Sequence, residues 1–228
     1  MAAAEHLKTE EAIDPDRIGF WGVSQAAWVA PLAASRSGSI AFMILISGGG
    51  ASPRESEAFS YGQQFDRAGL TPAEKAHAEA VLGAYFDYLA TGRHRSELIE
   101  RLDEIRAGRL RPLAEQIDRV LPSDENRLNW SWVAAHDPAP YIGRLTCPIL
   151  LLFGERDTDH PTALAVDRWR EGLSKAGNDR ATIMIFPGAG HGIRLSEGHT
   201  GGGRPPFADG YVEVQLGWLW RRVVAGTA

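Results

Sequence analysis

The sequence has very little cysteine. Cys147 is the only cysteine among the 228 residues, so an internal disulfide is excluded. Because Cys147 stands next to Pro148 at the start of an apolar run, its side chain is interpreted as a small buried hydrophobe. Nothing in the cysteine pattern indicates a redox or metal-binding role.

Positive charge is also sparse. The chain has 24 Lys and Arg against 29 Asp and Glu, a net charge of -5, and no block of basic residues. Proteins that bind nucleic acid or anionic membranes concentrate positive charge on one surface. The composition therefore predicts neither partner and favours a small neutral or apolar ligand.

Long apolar runs are missing as well. No run approaches the ~20 residues that span a bilayer, and residues 1–9 lack the basic and then apolar pattern of a secretory leader. These absences predict a soluble cytoplasmic protein. The length and the 44% hydrophobic content predict one main domain with room for an insertion.

Short apolar runs, by contrast, recur along the chain and are typical of buried parallel strands. They fall at residues 18–21, 42–46, 149–153 and 181–186. The sequence therefore predicts an α/β fold with a parallel sheet of about four strands flanked by helices. From residue 52 to 141 apolar residues recur only at helical spacing, as after the N-cap pattern Thr71-Pro72-Ala73-Glu74. We predict a core of 1–51 and 142–228 and a helical cap of 52–141.

The first predicted strand stops at a serine between small residues. In Gly22-Val23-Ser24-Gln25-Ala26 a strand ends and a helix begins on either side of Ser24. This arrangement is typical of a nucleophile elbow, which exposes the hydroxyl in a strained turn close to helix N-terminal N–H groups. An ordinary strand-turn-helix with a capping serine is the alternative.

Two further polar residues follow later strands. Asp157 comes just after the run ending at Phe153, and His191 lies in the glycine-rich loop 187–192 after the run ending at Phe186. Taken singly, Asp157 could cap a helix and His191 could be a surface residue. The order Ser, Asp, His after successive parallel strands is much harder to obtain by chance.

These residues resemble those of an α/β-hydrolase of the bacterial esterase and dipeptidyl-peptidase-like branch, which has a helical cap. The resemblance rests on the stretches 14–19, 22–25, 28–34, 153–157 and 186–192. It implies that Ser24 is the nucleophile, His191 the general base and acid, and Asp157 the group that orients the imidazole. It also implies that the backbone N–H of Gln25 is an oxyanion donor.

The chain departs from that family in two ways. Ala26 stands where such elbows usually have glycine, a change that a small methyl group makes tolerable. Only 23 residues precede Ser24, too few for the strands that usually come before the elbow. The loop that usually gives the second oxyanion donor is missing together with those strands. We therefore expect a fragment or a partner that supplies the rest.

The predicted activity is hydrolysis of a small apolar carboxylic ester through an acyl-enzyme, with no metal or organic cofactor. Thioesterase and serine aminopeptidase are variants that share the triad. The other hypothesis is a silent or weakly active truncated domain that acts as an assembly partner.

A metal site at Asp159 and His160 is rejected because no ligand cluster of suitable spacing accompanies them. A phosphate loop at Gly48-Gly49-Gly50 is rejected because no G-K-[ST] follows.

The missing strands also lead to a prediction about assembly. Without them the strand around residues 17–22 would be an unpaired sheet edge beside an apolar face, and natural proteins cover or pair such edges. We expect a homodimer through this edge or the adjacent apolar surface. Coverage by an N-terminal helix, Ala2 to Ala12, is the alternative.

Overall fold

A computed structural model describes residues 2–36, 40–196 and 198–225. The chain forms two compact units, one of Met1–Ala51 with Asp137–Ala228 and the other of Ser52–His136. No helix of the described residues is long and apolar enough to cross a membrane.

The first unit is built on a parallel sheet, as predicted. Its described strands pair in chain order, each with the next: β1 Phe20–Val23, β2 Met43–Ile46, β3 Ile149–Gly154 and β4 Ala181–Phe186. Because all four strands are parallel, their carboxyl ends lie at the same edge of the sheet. The α/β class and the four-stranded sheet are confirmed.

Helices cover both faces of this sheet. The described helices of the first unit are α1 Ala2–Leu7, α2 Ala26–Ala34, α8 Ala139–Ile142, α9 Thr162–Lys175 and α10 Tyr211–Leu219, which a π-helical turn at Trp220–Val224 continues. Alternate strand residues point to opposite faces. Leu45 and Leu151 therefore pack with α2 and α9, whereas Ile44 and Leu150 pack with α10.

Two element boundaries differ from the sequence-based expectation. The N-terminal helix ends at Leu7 rather than near Ala12, because the hydroxyl and the N–H of Thr9 both bond to the carbonyl of His6 and close a turn there. The first strand begins at Phe20 rather than Ile18, although the Ile18 carbonyl already accepts a hydrogen bond from Ala41 N–H.

The second unit is helical. It contains α3 Pro53–Arg67, α4 Pro72–Thr91, α5 Arg95–Ile105, α6 Arg111–Val120 and α7 Arg127–Ala135. Capping boxes begin α3, from Ser52 and Glu55, and α4, from Thr71 and Glu74. This unit has a hydrophobic core of its own, which includes Leu89 and Leu102.

Residues 137–141, which the sequence pattern placed in the helical insertion, belong to the first unit. They include most of α8, which packs on α2 and α9. Ile142, at the end of α8, is buried in the same core as Leu145 and Leu173. The burial of this short helix explains why the unit boundary precedes it.

Candidate active site

Ser24 occupies the turn between β1 and α2. Its φ angle is +56°, in the left-handed region that a non-glycine residue adopts at some energetic cost. Two hydrogen bonds hold the turn: Ser24 N–H donates to the Ile46 carbonyl (2.7 Å), and the Ser24 carbonyl accepts from Ala27 N–H (2.9 Å). The predicted elbow geometry is therefore present, with the half-buried Ser24 at the carboxyl end of an edge strand.

Asp157 lies in the turn that follows β3, and its side chain is fully buried. Its Oδ1 atom accepts hydrogen bonds from the backbone N–H groups of Asp159 and His160, both at 2.9 Å. A buried carboxylate needs such donors, because an unpartnered buried charge is strongly unfavourable. The turn thus fixes the direction in which the carboxylate points.

His191 follows β4 and meets this carboxylate. Its Nδ1 atom lies 2.9 Å from Oδ2 and 3.1 Å from Oδ1 of Asp157, and 29% of its side chain is exposed. A carboxylate oxygen can only accept, so Nδ1 carries the proton and Nε2 is left as the basic nitrogen. The structure therefore brings two of the three predicted residues into direct contact.

The surroundings of His191 act on its basicity in opposite directions. Burial is the largest single influence and lowers the pKa of the imidazole. The hydrogen bond to Asp157 and the charges of Asp157 and Asp159 together outweigh it, so the pKa of His191 is raised. The pair therefore favours the protonated imidazole, as expected of a base that must take up a proton.

Ser24 is at the same edge of the sheet as this pair. Among the described residues no hydrogen bond joins its hydroxyl to His191, so a complete triad is not formed in this structure. Catalytic hydrogen bonds are often long without substrate and tighten when it binds.

Comparisons with known proteins agree with this architecture. The family model described as BAAT / Acyl-CoA thioester hydrolase C terminal matches residues 133–196, a range that contains Asp157 and His191. The acylaminoacyl peptidase of Pyrococcus horikoshii superposes with a TM-score of 0.53 at 20% identity, over 97% of this chain and 26% of that chain. The chain has the α/β-hydrolase fold.

Other α/β-hydrolases are similar at lower scores. A Pyrococcus furiosus esterase gives a TM-score of 0.46 at 15% identity, over 83% of this chain and 51% of that one. A Mycobacterium tuberculosis puromycin-hydrolyzing peptidase gives 0.44 at 17%, over 84% and 21%. No curated protein matches. The chain spans about a quarter of the length of the Pyrococcus horikoshii peptidase.

The predicted oxyanion donor, the backbone N–H of Gln25, lies directly after Ser24. Gln25 is the N-cap residue of α2, and the first N–H groups of a helix have no partner within the helix. They also lie at the positive end of the helix dipole. The backbone N–H of Gln25 is thus at the positively polarised end of α2, directly after Ser24.

A carboxylate pair beside His191 has the composition of a metal site. Ligand atoms of Asp157, Asp159 and His191 all lie within 4.8 Å of one another. However, both carboxylate oxygens of Asp157 already contact Nδ1 of His191, and Oδ1 also accepts two backbone N–H groups. A metal bound there would displace these hydrogen bonds, so the donor set fits an orienting carboxylate better than a metal ligand.

One feature of the site was not predicted from the sequence. A groove of about 750 Å³ runs beside His191. Its apolar lining comes mainly from β1 and from α10, and includes Trp21, Val23, Tyr211, Leu216 and Leu219; Ile44 of β2 and Phe207 also contribute. The apolar residues of α10 recur at helical spacing, a signal that could have predicted this helix but not the groove that it lines.

Proposed function

We propose that the chain is a serine hydrolase that cleaves carboxylic esters through an acyl-enzyme. The observation that carries the proposal is the hydrogen-bonded pair of Asp157 and His191, which lies at the same sheet edge as the left-handed turn of Ser24. This set of residue types and this order of strands match the roles of nucleophile, base and orienting acid.

The reaction proceeds in two steps of acyl transfer. Nε2 of His191 takes the proton of the Ser24 hydroxyl as Oγ attacks the ester carbonyl carbon, and it then gives that proton to the departing alcohol. In the second step His191 removes a proton from water, the hydroxide attacks the acyl-enzyme, and the acid leaves as Ser24 regains its proton. Asp157 keeps Nδ1 protonated and stabilises the imidazolium between these transfers.

The oxyanion of each tetrahedral intermediate is held by the N–H of Gln25. Such sites usually have two donors, and removal of one lowers turnover on the order of a hundredfold to a thousandfold. We therefore expect covalent labelling of Ser24 to be easier to detect than turnover. A test of the esterase proposal should therefore begin with covalent labelling of Ser24.

A fluorophosphonate probe tests the proposal, because it phosphonylates an activated serine and stays attached. We expect labelling of the purified chain that is lost in Ser24→Ala and strongly reduced in His191→Ala. The matched control is Ser131→Ala, whose hydroxyl donates to the Leu128 carbonyl of its own helix, α7. Absence of labelling in a folded chain would instead support a silent domain that acts as an assembly partner.

A thioester is the second candidate substrate, and the match to the acyl-CoA thioester hydrolase family over residues 133–196 favours it. An ester and a thioester use the same nucleophile and base, so the residues above do not separate them. Rates on a p-nitrophenyl ester and on an acyl-CoA with the same acyl chain should be compared. Greater kcat/KM on the acyl-CoA, lost in Ser24→Ala, would decide for the thioester.

A further inference from the structure

The segment that leaves β2 contacts the loops that carry all three proposed catalytic residues. This segment, residues 47–50, is called the exit loop, and it consists of Ser47, Gly48, Gly49 and Gly50. Every residue of it is buried. Its glycines do not form a phosphate-binding motif, and none of its residues takes part in the proposed acyl transfer.

Ser47 connects the exit loop to the loop that carries His191. It is 1% exposed and has a φ angle of +50°, so it is held in the left-handed region although it is not glycine. Its N–H donates to the Leu152 carbonyl (2.8 Å), and its Oγ accepts from the N–H of Gly192 (3.0 Å). The hydroxyl therefore fixes the backbone directly after His191.

Gly49 connects the exit loop, through His160, to the turn that carries Asp157. The His160 ring is 2% exposed, and its Nε2 lies 3.0 Å from the Gly49 carbonyl. Since a carbonyl only accepts, Nε2 carries the proton. The backbone N–H of the same residue donates to Oδ1 of Asp157, so His160 joins the exit loop to that carboxylate.

Aromatic packing holds the His160 ring in this position. The ring stacks on Phe153, with centroids 6.3 Å apart and an interplanar angle of 11°, and meets the edge of Trp28 at 5.9 Å. Burial lowers the pKa of His160 and so favours the neutral ring. A buried donor with one fixed acceptor is a rigid connection.

Gly48 brings the exit loop against the serine turn. A Cβ atom on Gly48 would lie 2.3 Å from the carbonyl oxygen of Ser24 and 3.0 Å from Cβ of Ala27. Only glycine permits this approach, because backbone atoms cannot move aside as a flexible side chain can. The turn of Ser24 is thus packed directly on the exit loop.

We propose that the exit loop sets the relative positions of the three catalytic residues. Ser47 and His160 are positioning residues that keep His191 and Asp157 in place relative to Ser24. The proposal rests on the proposed hydrolase function. Ser47 acts through the backbone of Gly192, and His160 acts through the turn of Asp157. Neither residue takes part in bond making or breaking.

Two pairs of variants test the connections. Ser47→Gly removes the hydroxyl while permitting the left-handed backbone, and Ser47→Ala removes it and keeps Cβ. His160→Leu removes the ring donor, whereas His160→Gln keeps an N–H donor near the position of Nε2. We expect a fall of at least about tenfold in the rate of fluorophosphonate labelling for Ser47→Gly, Ser47→Ala and His160→Leu, and a smaller fall for His160→Gln. Thermal unfolding should show that Ser47→Gly remains folded at the temperature of the labelling assay.

A titration of the His191 imidazole by NMR gives a readout that a merely structural role would not move. Among the described residues, Asp157, Asp159 and the buried His160 influence the charge of this ring, and Arg194 and Arg204 line the same groove. We expect the pKa of His191 to fall in Ser47→Gly and His160→Leu, because the carboxylate and imidazole are no longer held together. Two controls should leave this pKa unchanged: Ser131→Ala, and His77→Leu, which removes an exposed histidine on α4.

The outcomes separate the two proposals. If the unaltered chain is folded but never labelled, the hydrolase function fails, and the His191 titration still decides whether the exit loop positions the pair. If Ser47→Gly and His160→Leu keep both the labelling rate and the pKa of His191, the positioning role is wrong and the hydrolase function stands. Loss of both only in variants that unfold would also overturn it.

Discussion

Cβ of Ala26 lies in the space that a side chain on Gly22 would need: a Cβ on Gly22 would be 2.3 Å from it. The two positions flank Ser24, one at the end of β1 and the other at the start of α2. The elbow therefore has room for one methyl group. Alanine at position 26 is accommodated because position 22 is glycine.

This relationship predicts the effect of moving the methyl group. We expect Gly22→Ala to lower the free energy of unfolding by about 1–3 kcal/mol through overpacking, and Ala26→Gly to lower it by less than about 1 kcal/mol. The double variant Gly22→Ala/Ala26→Gly should recover part of the loss. Urea denaturation measures all three, and a Gly22→Ala chain as stable as the original would show that the turn can expand.

The proposed triad predicts large and non-additive effects on activity. Ser24→Ala and His191→Ala should each lower esterase turnover by at least about a thousandfold, and the double variant should be little worse than either single one. Asp157→Ala should also be severely impaired. Circular dichroism provides the check that the fold persists. Full activity in Asp157→Ala together with loss in Asp159→Ala would reassign the acid.

The raised pKa of His191 predicts the pH dependence. The neutral imidazole is the base, so activity is lost as the pH falls through this raised pKa, and the midpoint should lie above the ordinary value of about 6.5. Asp157→Asn removes the main causes that raise the pKa and leaves burial, so the NMR midpoint of His191 should move to lower pH. An unchanged midpoint would contradict the assigned role of Asp157.

The same pair predicts the direction of a stability change. A group whose pKa is raised by folding adds stability that is fully present below its unfolded pKa and is lost as the pH rises through the folded value. Asp157→Asn should therefore lower the free energy of unfolding more at pH values below about 6.5 than at alkaline pH. Urea titrations of both chains across this range test the sign.

Substrate preference follows from the chemistry of the candidate groove. Its described lining beside His191 is largely apolar, with arginines at positions 194 and 204. We expect higher kcat/KM for p-nitrophenyl esters with a few apolar acyl carbons than for esters of charged acids of the same length. A strong preference for dicarboxylic or phosphorylated substrates would contradict this.

The predicted homodimer would use the outer edge of β1. Among the described residues no strand pairs with the outer edge of β1. Since Phe20 and Ser24 donate toward β2, the backbone groups of Trp21 and Val23 point away from the sheet. The Trp21 side chain is 60% exposed, although its Nε1 donates to Oε1 of Gln215 at 2.8 Å. The N-terminal helix α1 buries Ala4 in the core but leaves Trp21 uncovered.

We therefore expect a homodimer that buries more than about 1,000 Å² and is weakened by Trp21→Lys, because a lysine on an edge strand opposes pairing. Leu128→Lys is the matched control, since this leucine is also exposed (71%) but lies on α7. Light scattering at micromolar concentration measures the mass. A monomer in the unaltered chain would exclude the dimer.

Local patterns in the sequence were enough to predict the strands, the helix starts and the order of the three candidate residues. Apolar runs predict the parallel strands, of which β2 and β3 are buried, whereas β1 and β4 at the ends of the strand order are partly exposed. The cap at Thr71 and Glu74 predicts a helix beginning at Pro72, where α4 begins. The small residues around Ser24 predict a strained turn, which the φ angle of Ser24 shows. Each of these signals depends on neighbours within a few residues, so the sequence alone contains them.

Only the tertiary structure decided which distant groups meet. Asp157 and His191 are 34 positions apart, His160 and Gly49 are 111 apart, and Ser47 and Gly192 are 145 apart. No local pattern encodes these contacts, because they form when parallel strands align their carboxyl ends and bring separate loops together. The same alignment places α10 beside His191 and leaves the outer edge of β1 unpaired among the described residues.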